Sequence, residues 1–347
     1  MSLSQRLTGL SIILAALAPA ACQPATQEAD KMTTQTSMLK LADGSDTPLL
    51  TLKNDQLSVQ FVPELGGKII SIKDADGREF LSRSDRPYAR RQYGMEFGKT
   101  EFDGIDECFP SMGACKYPYD GAYKDVDMVD HGEVFNMPWT VLSGAGVDME
   151  CKGTRFQYVF RRTATLEGNV LKLDYTVTNT GSEPLHWMYL FHPLLAADKG
   201  TGLTNIPDDM PIKISYNPGD FLGKRFDIKP WGQLKDAEGK PFKDDQFRPK
   251  SERYYKYHSP KLDKAELVLS HADGSAVKMT WSKDILPFFA VWTSEGSVGG
   301  LHHFAPEPSN SSTDNLATAK EAGEESVIPP GGTIKWFINI EITPAKK

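Results

Sequence analysis

The chain lacks an excess of positive charge. Its 347 residues include 39 lysines and arginines against 46 aspartates and glutamates, for a formal net charge of −7. A surface that binds nucleic acid needs clustered lysine and arginine to neutralise phosphates, and no basic stripe with interleaved aromatic residues occurs. The composition therefore argues against a nucleic-acid-binding protein, while 39% hydrophobic residues provide for a large globular core.

The chain also lacks an apolar run long enough to cross a membrane as a helix. The stretch from Leu7 to Leu17 is too short for that and is soon interrupted by Pro19. Arg6 supplies a positive start before this stretch, and small residues follow it, which is the pattern of an export signal. Residues 1–22 are therefore predicted to be a signal peptide of the lipoprotein type.

Cys22 follows the small residues Ala20-Ala21, where bacterial lipoprotein signals place the acylated cysteine. We predict that Cys22 is the lipid attachment residue and that residues 23–40, which are polar, form a flexible tether. The protein is then expected in the bacterial periplasm or anchored to the outer membrane, with the lipid as its contact with the membrane. Ordinary cleavage without a lipid is the alternative interpretation.

Cysteine is scarce, with 4 in the whole chain. Export would place them where disulfides form, and Cys108 and Cys115 enclose a short loop that a bridge would close. Three buried thiols, including Cys151, are the equally weighted alternative. Metal-ligand spacing is also missing, since the adjacent His302-His303 would point to opposite faces of a strand, and no metal site is predicted.

A helical period of 3.6 residues is absent, whereas alternation with a period of two recurs along the chain. The longest alternating segment has Ile334, Trp336, Ile338 and Ile340 on one side, and these are predicted to point into the core. We predict an all-β fold, a large antiparallel β-sandwich or a barrel, in a single domain over residues 41–345. Residues 198–262 interrupt the pattern and are predicted to form a long loop that shapes a site.

Two residues stand out as candidates for proton transfer. Glu307 lies between two prolines, and His192 is followed by a proline in Phe191-His192-Pro193. Proline fixes the backbone φ angle, so both side chains are held on rigid, extended backbone at strand ends. A carboxylate and a histidine suffice to remove a proton from one atom and deliver one to another, and we expect both to have ordinary pKa values.

Further candidates carry open alternatives. His131, in Asp130-His131-Gly132-Glu133, is a ligand-binding histidine or a structural one. Asp106 and Glu107 bind ligand hydroxyls or belong to a solvated turn. Trp292 stacks on a ligand or packs in the core. Four arginines are further candidates for pairing with a carboxylate ligand, or form a solvated loop: Arg83, Arg86, Arg90 and Arg91.

The ordered set of motifs resembles the galactose mutarotase-like (aldose 1-epimerase) superfamily. Pro63-Glu64-Leu65-Gly66-Gly67 resembles its opening hairpin. The segments around His131 and His192 resemble its two histidine motifs, and the segment from Glu307 to Asp314-Asn315 resembles the one that holds its catalytic carboxylate. The resemblance spans residues 50–345 and implies a large β-sandwich with one sugar cleft on its concave face.

The resemblance implies the roles of these residues. Glu307 would be the base at the C1 hydroxyl, His192 the acid at the ring oxygen, and His131 a substrate contact or a helper at that oxygen. Glu133, Asp106, Glu107 and Trp292 complete the predicted sugar-binding set. The expected partner is a monosaccharide or an oligosaccharide end, and the chemistry requires no cofactor. His192-Pro193-Leu194 departs from the family's usual motif, so no further contact is carried over from it.

Two other functions remain open at this stage. One is a non-catalytic carbohydrate-binding lipoprotein on the same fold, because a fold does not specify function. The other is a hydrolase or lyase acting on glycans, in which Asp106, Glu107 or Glu133 would face Glu307 across a cleft. His192 and Glu307 at one cleft would favour the epimerase, whereas two facing acids with His192 elsewhere would favour the hydrolase.

Overall fold

A computed structural model describes residues 32–235, 239–242 and 253–346. The predicted signal peptide, Cys22 and the first part of the predicted tether lie outside these residues. Within them, the first half of the chain forms β1 Thr33–Lys40, β2 Asp46–Lys53, β3 Leu57–Val62, β4 Lys68–Asp74, β5 Ile105–Cys108, β6 Cys115–Lys116, β7 Asp127–Met128, β8 Thr140–Leu142, β9 Val147–Lys152, β10 Tyr158–Glu167 and β11 Val170–Asn179.

In the described part of the second half, the chain adds thirteen strands and one short α-helix. These are β12 Leu185–His186, β13 Leu190–Pro193, β14 Leu195–Ala196, β15 Gly202–Leu203, β16 Pro211–Tyr216, β17 Ile228–Pro230, β18 Tyr254–His258, β19 Glu266–Ser270, β20 Ala276–Trp281, β21 Phe288–Glu295, β22 His302–Ser309, α1 Leu316–Glu321, β23 Val327–Ile328 and β24 Thr333–Thr343. Four 3-10 turns are Pro63–Leu65, Phe97–Lys99, Val134–Asn136 and Trp231–Gln233. In the described ranges no helix is long and apolar enough to span a membrane.

Two large antiparallel sheets dominate the described residues, beside two small sheets in which β12 pairs with β23 and β6 pairs with β7. The larger runs in the order β1-β2-β3-β4-β5-β13-β22-β21-β18-β16-β17, with β14 also paired to β22. The smaller runs in the order β15-β19-β20-β24-β11-β10-β9-β8. The main core contains buried side chains from both, such as Phe61 and Phe160, which is how a sandwich packs its inner faces. The predicted all-β sandwich is confirmed.

The alternation in β24 has the predicted consequence. Trp336, Ile338 and Ile340 are buried in the main core, and Ile334 is half-buried against it. Phe337, between two of them, is exposed. Successive side chains of a strand point to opposite faces, so this pattern turns one face of the smaller sheet towards the larger one.

Two sequence-based expectations need correction. Residues 33–40 are not tether but strand β1, which pairs with β2 along its whole length. The strand was missed because nearly all its side chains are exposed, so no apolar alternation marks it. Residues 198–262 are not simply a loop, because they contribute β16, β17 and β18 to the larger sheet. Of the two alternatives left open for the cysteines, the structure shows the thiols: Cys108 and Cys151 are free and buried, and Cys115 is free and half-buried.

Candidate active site

The candidate site lies on the outer face of the larger sheet. Along β18 and β21, Tyr255, Tyr257, Phe289 and Val291 point into the main core. The residues between them therefore point away from the smaller sheet, because side chains alternate along a strand. This outer face carries the side chains of the candidate site, such as Lys256 on β18 and Trp292 on β21.

The strand register places ionisable residues side by side on that face. His192 lies opposite Asp106, Glu307 lies opposite Ala290, and Ala290 lies opposite His258. Directly opposite residues in an antiparallel pair point to the same face. His192 on β13 and Glu307 on the adjacent β22 consequently meet, with Nε2 and Oε1 3.4 Å apart.

A cavity of about 280 Å³ opens above this pair. Its volume is just below the range for small-molecule sites, about 300–1,000 Å³. His192 and Glu307 form its buried floor, with 4% and 0% of their side-chain surface exposed. The other lining residues are Phe97, Phe102, Met112, His131, Tyr216, Tyr254, Lys256, Trp292 and Asp314.

Lys256 holds the two carboxylates of the cavity together. Its Nζ lies 2.7 Å from Oε2 of Glu307 and 2.9 Å from Oδ1 of Asp314. Asp314 also lies 3.3 Å from Nε2 of His258 and accepts a hydrogen bond from Ser215 Oγ at 2.6 Å. Burial disfavours the Lys256 ammonium, but the carboxylates of Asp314 and Glu307 outweigh burial and raise its pKa. Lys256 is therefore a permanent positive charge in the floor of the site.

The expectation of ordinary pKa values for Glu307 and His192 is wrong. Burial raises the pKa of Glu307 to about 7, although Lys256 opposes the shift. Burial, followed by the neighbouring His131 and Lys256, holds the pKa of His192 well below its ordinary value. Both shifts have the same origin, since removal from water disfavours whichever form is charged.

His131 lines the same cavity on a strained loop. Its φ is 57°, and the following Gly132 has a φ of 73°, a region that favours glycine. A Cβ at Gly132 would meet the carbonyl oxygen of Phe109 at 2.2 Å, so no other residue fits there. The His131 ring stacks on Phe97 with centroids 4.3 Å apart, and its Nδ1 lies 3.1 Å from Oδ1 of Asp130. The loop thus presents the imidazole to the cavity in a fixed orientation.

The structure corrects the prediction that Asp106 contacts the substrate. Its carboxylate is buried between Lys68 and Arg91, each with a nitrogen 2.7 Å from one of its oxygens. Glu101 completes this cluster, 3.0 Å from Lys68. Asp106 is opposite His192 in the register, but two cations draw its carboxylate away from the cavity.

Glu107 is likewise not a cavity residue. It points into the core, where Arg162 pairs with it at 2.6 Å and the hydroxyls of Tyr175 and Tyr189 donate hydrogen bonds to it. Adjacent strand residues point to opposite faces, so Asp106 and Glu107 could not both face one site. Sequence alone left open which face each would take.

Glu133 also has a structural role in place of the predicted sugar contact. The backbone N–H groups of Thr154 and Arg155 donate to its carboxylate at 3.1 and 2.7 Å, and the Tyr93 hydroxyl donates at 3.1 Å. The buried Glu133 carboxylate therefore binds the loop at Thr154-Arg155 and the loop at Tyr93 together. None of the three acids proposed to face Glu307 lines the cavity, whereas His192 does.

The arginines considered for a carboxylate sugar bind protein groups. Arg91 belongs to the buried cluster, Arg90 pairs with Glu64, and Arg86 donates to the Thr100 carbonyl. Arg83 donates to a backbone carbonyl. The described lining of the cavity contains none of them.

Sequence reasoning missed Lys256 and the aromatic residues of the cavity. Lys256 lies in Tyr254-Tyr255-Lys256-Tyr257-His258, where polar and aromatic residues alternate within a region read as loop. That alternation is the sequence signal that could have identified a strand with Lys256 on one face. No such signal marks the four aromatic residues of the cavity, because they lie in loops and at strand ends that only the fold brings together: Phe97, Phe102, Tyr216 and Tyr254.

A larger cavity of about 450 Å³ lies elsewhere, between the loop at Asn205–Met210 and the loop at Pro260–Lys264. Its described lining includes Asp209, Lys261 and Glu266 but no histidine. Groups of three or more potential metal ligands are also missing from the described chain. Of these two cavities, the smaller one is where the described residues bring an imidazole and a carboxylate within 3.4 Å of each other, an arrangement suited to proton transfer.

Fold and site together define a β-sandwich protein with a buried histidine–carboxylate pair beneath a small cavity. The family model described as Aldose 1-epimerase matches residues 48–335. The match covers most of the chain, which therefore belongs to the aldose 1-epimerase family.

Solved structures agree on the fold. A galactose mutarotase-like protein from Lactobacillus casei has a TM-score of 0.60 at 17% identity, covering 85% of this chain and 100% of that chain. A galactose mutarotase-like protein from Clostridium acetobutylicum has a TM-score of 0.60 at 15% identity, covering 90% and 99%. The Slr1438 protein from Synechocystis has a TM-score of 0.62 at 16% identity, covering 89% and 96%. The comparison with curated proteins finds no match.

Proposed function

We propose that this protein is an enzyme that interconverts the α and β anomers of an aldose by opening and closing its ring. The observation that carries the proposal is the contact of His192 with Glu307, 3.4 Å apart on the floor of one cavity in a chain of this family. Ring opening requires one group to remove the C1 hydroxyl proton and another to protonate the ring oxygen. This pair supplies both.

In the proposed reaction the Glu307 carboxylate takes the proton of the C1 hydroxyl while the His192 imidazolium protonates the ring oxygen. The bond between C1 and the ring oxygen breaks, its electron pair stays on that oxygen, and C1 becomes an aldehyde carbonyl. Rotation about the C1–C2 bond presents the other carbonyl face. The reverse proton transfers then close the ring, so the pair holds one proton throughout the cycle.

Burial determines where that proton rests. With the pKa of Glu307 raised to about 7 and that of His192 well below its ordinary value, the proton rests on Glu307 in mildly acidic solution. A shift across the 3.4 Å contact produces the carboxylate and the imidazolium. Lys256, whose Nζ lies 2.7 Å from Oε2 of Glu307, stabilises the carboxylate as it forms. Its charge is already in position at a buried site, so no solvent or side chain has to reorganise during the proton transfer.

His131 and Trp292 are proposed to bind the sugar. Both line the cavity beside His192, with ring centroids 5.1 and 5.7 Å from its ring. An indole offers a flat apolar surface to one face of a pyranose, and an imidazole offers a hydrogen bond to a ring hydroxyl. Neither role moves a proton at C1.

The test is polarimetry of freshly dissolved α-anomers of neutral aldoses and uronates with the purified protein. Glu307→Gln and His192→Asn should each lower kcat by about 100-fold or more, the usual scale for a positioned base or acid, with little change in KM. His131→Asn should instead raise KM more than it lowers kcat. A wild-type protein that binds these sugars without accelerating their mutarotation would contradict the proposal and support a binding protein.

A further inference from the structure

Two tyrosines form the outer wall of the cavity. Tyr216 on β16 and Tyr254 on β18 both line it, and their hydroxyl oxygens are 2.6 Å apart. Their ring centroids are 5.0 Å apart at an interplanar angle of 40°. Tyr216 is 46% exposed, which is unusual for an aromatic residue on a strand at a buried site. The proposed reaction uses neither residue.

A β-bulge places Tyr216 on the cavity face. Between β16 and β18, Ile214 lies opposite Tyr257, but Tyr216 and not Ser215 lies opposite Lys256. Ser215 is the extra residue, and its hydroxyl donates to Asp314 at the site. Bulges near active sites change the direction of side chains. Here the bulge places Tyr216 opposite Lys256, which contacts Glu307.

The depth of the cavity orients a sugar within it. Glu307 and His192 are at the buried floor, whereas Tyr216 is at the mouth. Both bonds that change in ring opening are at C1 and the ring oxygen, which occupy one end of a pyranose ring. That end must therefore face the floor. The opposite end, with C3 and C4, then points towards the mouth and the two tyrosines.

We infer that Tyr216 and Tyr254 form a subsite for a second sugar ring, so that the substrate class is a reducing disaccharide or oligosaccharide end linked through C4. This inference rests on the proposed function. Each tyrosine ring offers an apolar surface, and burying such surface against the apolar face of a sugar is favourable. One of the two hydroxyls donates to the other, which leaves one proton and several lone pairs for sugar hydroxyls.

The binding test uses calorimetric titration of the whole protein with glucose and with maltose, a 4-linked disaccharide. Wild type should bind maltose more tightly than glucose. Tyr216→Ala and Tyr254→Ala should each weaken maltose binding by about fivefold or more, with a smaller effect on glucose. Tyr216→Phe keeps the ring and should retain most of the maltose affinity. Phe337→Ala, an exposed aromatic on the other sheet, is the matched control and should change neither affinity.

The kinetic test follows the mutarotation of the same two sugars. The tyrosine variants should raise KM for maltose more than for glucose and leave kcat for maltose nearly unchanged. Equal affinity of wild type for the two sugars, or equal losses for both in the variants, would overturn the subsite. Binding that follows the expected pattern without any acceleration of mutarotation would retain the subsite and overturn the proposed enzyme.

Discussion

At the scale of single residues, the site depends on one lysine shared between two carboxylates. Lys256 contacts Glu307 and Asp314 at 2.7 and 2.9 Å. The groups that face them are His192 on β13, His258 on β18, Ser215 on β16 and His131 from its loop. The charge of Lys256 lowers the pKa of Glu307, and that of Asp314 raises it. Lys256 and Asp314 therefore adjust the pH range in which the proposed catalytic pair, His192 and Glu307, keeps its proton.

The first prediction concerns the pH dependence of kcat/KM. Activity should fall as pH rises through about 7, because Glu307 then loses the one proton that the proposed catalytic pair needs. Lys256→Met removes a positive charge and should move this fall to higher pH. Asp314→Asn removes a negative charge and should move it to lower pH. The measurement is mutarotation between pH 5 and 9.

Lys256→Arg keeps the positive charge and serves as the control for the first prediction. Its pH profile should stay closer to wild type than that of Lys256→Met. If Lys256→Met and Asp314→Asn shift the pH profile of kcat/KM in the same direction, the two side chains do not act by changing the pKa of Glu307.

The second prediction concerns stability. A carboxyl whose folded pKa of about 7 exceeds its unfolded value of 4.5 binds more protons when folded. Glu307 thus lowers the free energy of unfolding as pH rises between these values, and the penalty is complete above pH 7. Glu307→Gln should be more stable than wild type at pH 8, by about 1–3 kcal/mol, and by much less at pH 4.5.

Urea denaturation at the two pH values measures this difference. Glu167→Gln is the control, because Glu167 is exposed and its pKa is lowered by Lys172. It should give no stabilisation at pH 8. If Glu307→Gln is less stable than wild type at pH 8, the ionised Glu307 carboxylate does not destabilise the folded protein.

At the scale of elements, strand β24 illustrates how alternation builds the sandwich. It pairs with β11 on one side and β20 on the other, so it is central in the smaller sheet. Its buried residues Trp336, Ile338 and Ile340 contact the main core, while Phe337 is exposed between them. Neighbouring positions of one strand should therefore differ sharply in their contribution to stability.

The third prediction follows from that difference. Ile338→Ala deletes a fully buried methylene and two methyl groups and leaves a cavity, and it should lower the free energy of unfolding by about 2–5 kcal/mol. Phe337→Ala, one position along, should cost much less because that ring is 38% exposed. Chemical denaturation of both variants measures the contrast. Equal losses at the two positions would show that the strand does not bury one face as described.

At the scale of the whole molecule, the larger sheet both closes the core and carries the site. Its inner face packs on the smaller sheet, and its outer face presents His192, Glu307 and Lys256. Whether this molecule works outside the cytoplasm depends on residues 1–22, which the structure does not describe. We propose export and lipid attachment at Cys22 from the sequence pattern.

The fourth prediction tests this anchoring. Cys22→Ser should move the protein from the membrane fraction into the soluble periplasmic fraction, because the lipid chains supply the membrane affinity. Cell fractionation with mass spectrometry of the mature N-terminus measures it. A wild-type protein that is already soluble, cleaved and free of lipid would show that ordinary signal cleavage is the correct interpretation.

The amino-acid sequence by itself determined the fold class and part of the site. Alternation in β24 and similar segments identified a sandwich, because burial on one face of a strand imposes a period of two. The contexts of Glu307, His192 and His131 also identified three residues that the fold brings into one cavity. These signals are local, since proline, glycine and strand periodicity act on neighbouring residues in the chain.

Only the tertiary structure decided which acids face the cavity and how their charges are balanced. Asp106, Glu107 and Glu133 looked as suitable in sequence as Glu307, but buried cations, tyrosines and backbone N–H groups bind them elsewhere. Lys256 reaches Glu307 from a strand two places away in the sheet, 51 positions earlier in the chain. Such contacts, and the pKa values they set, depend on long-range register and burial, which no local pattern encodes.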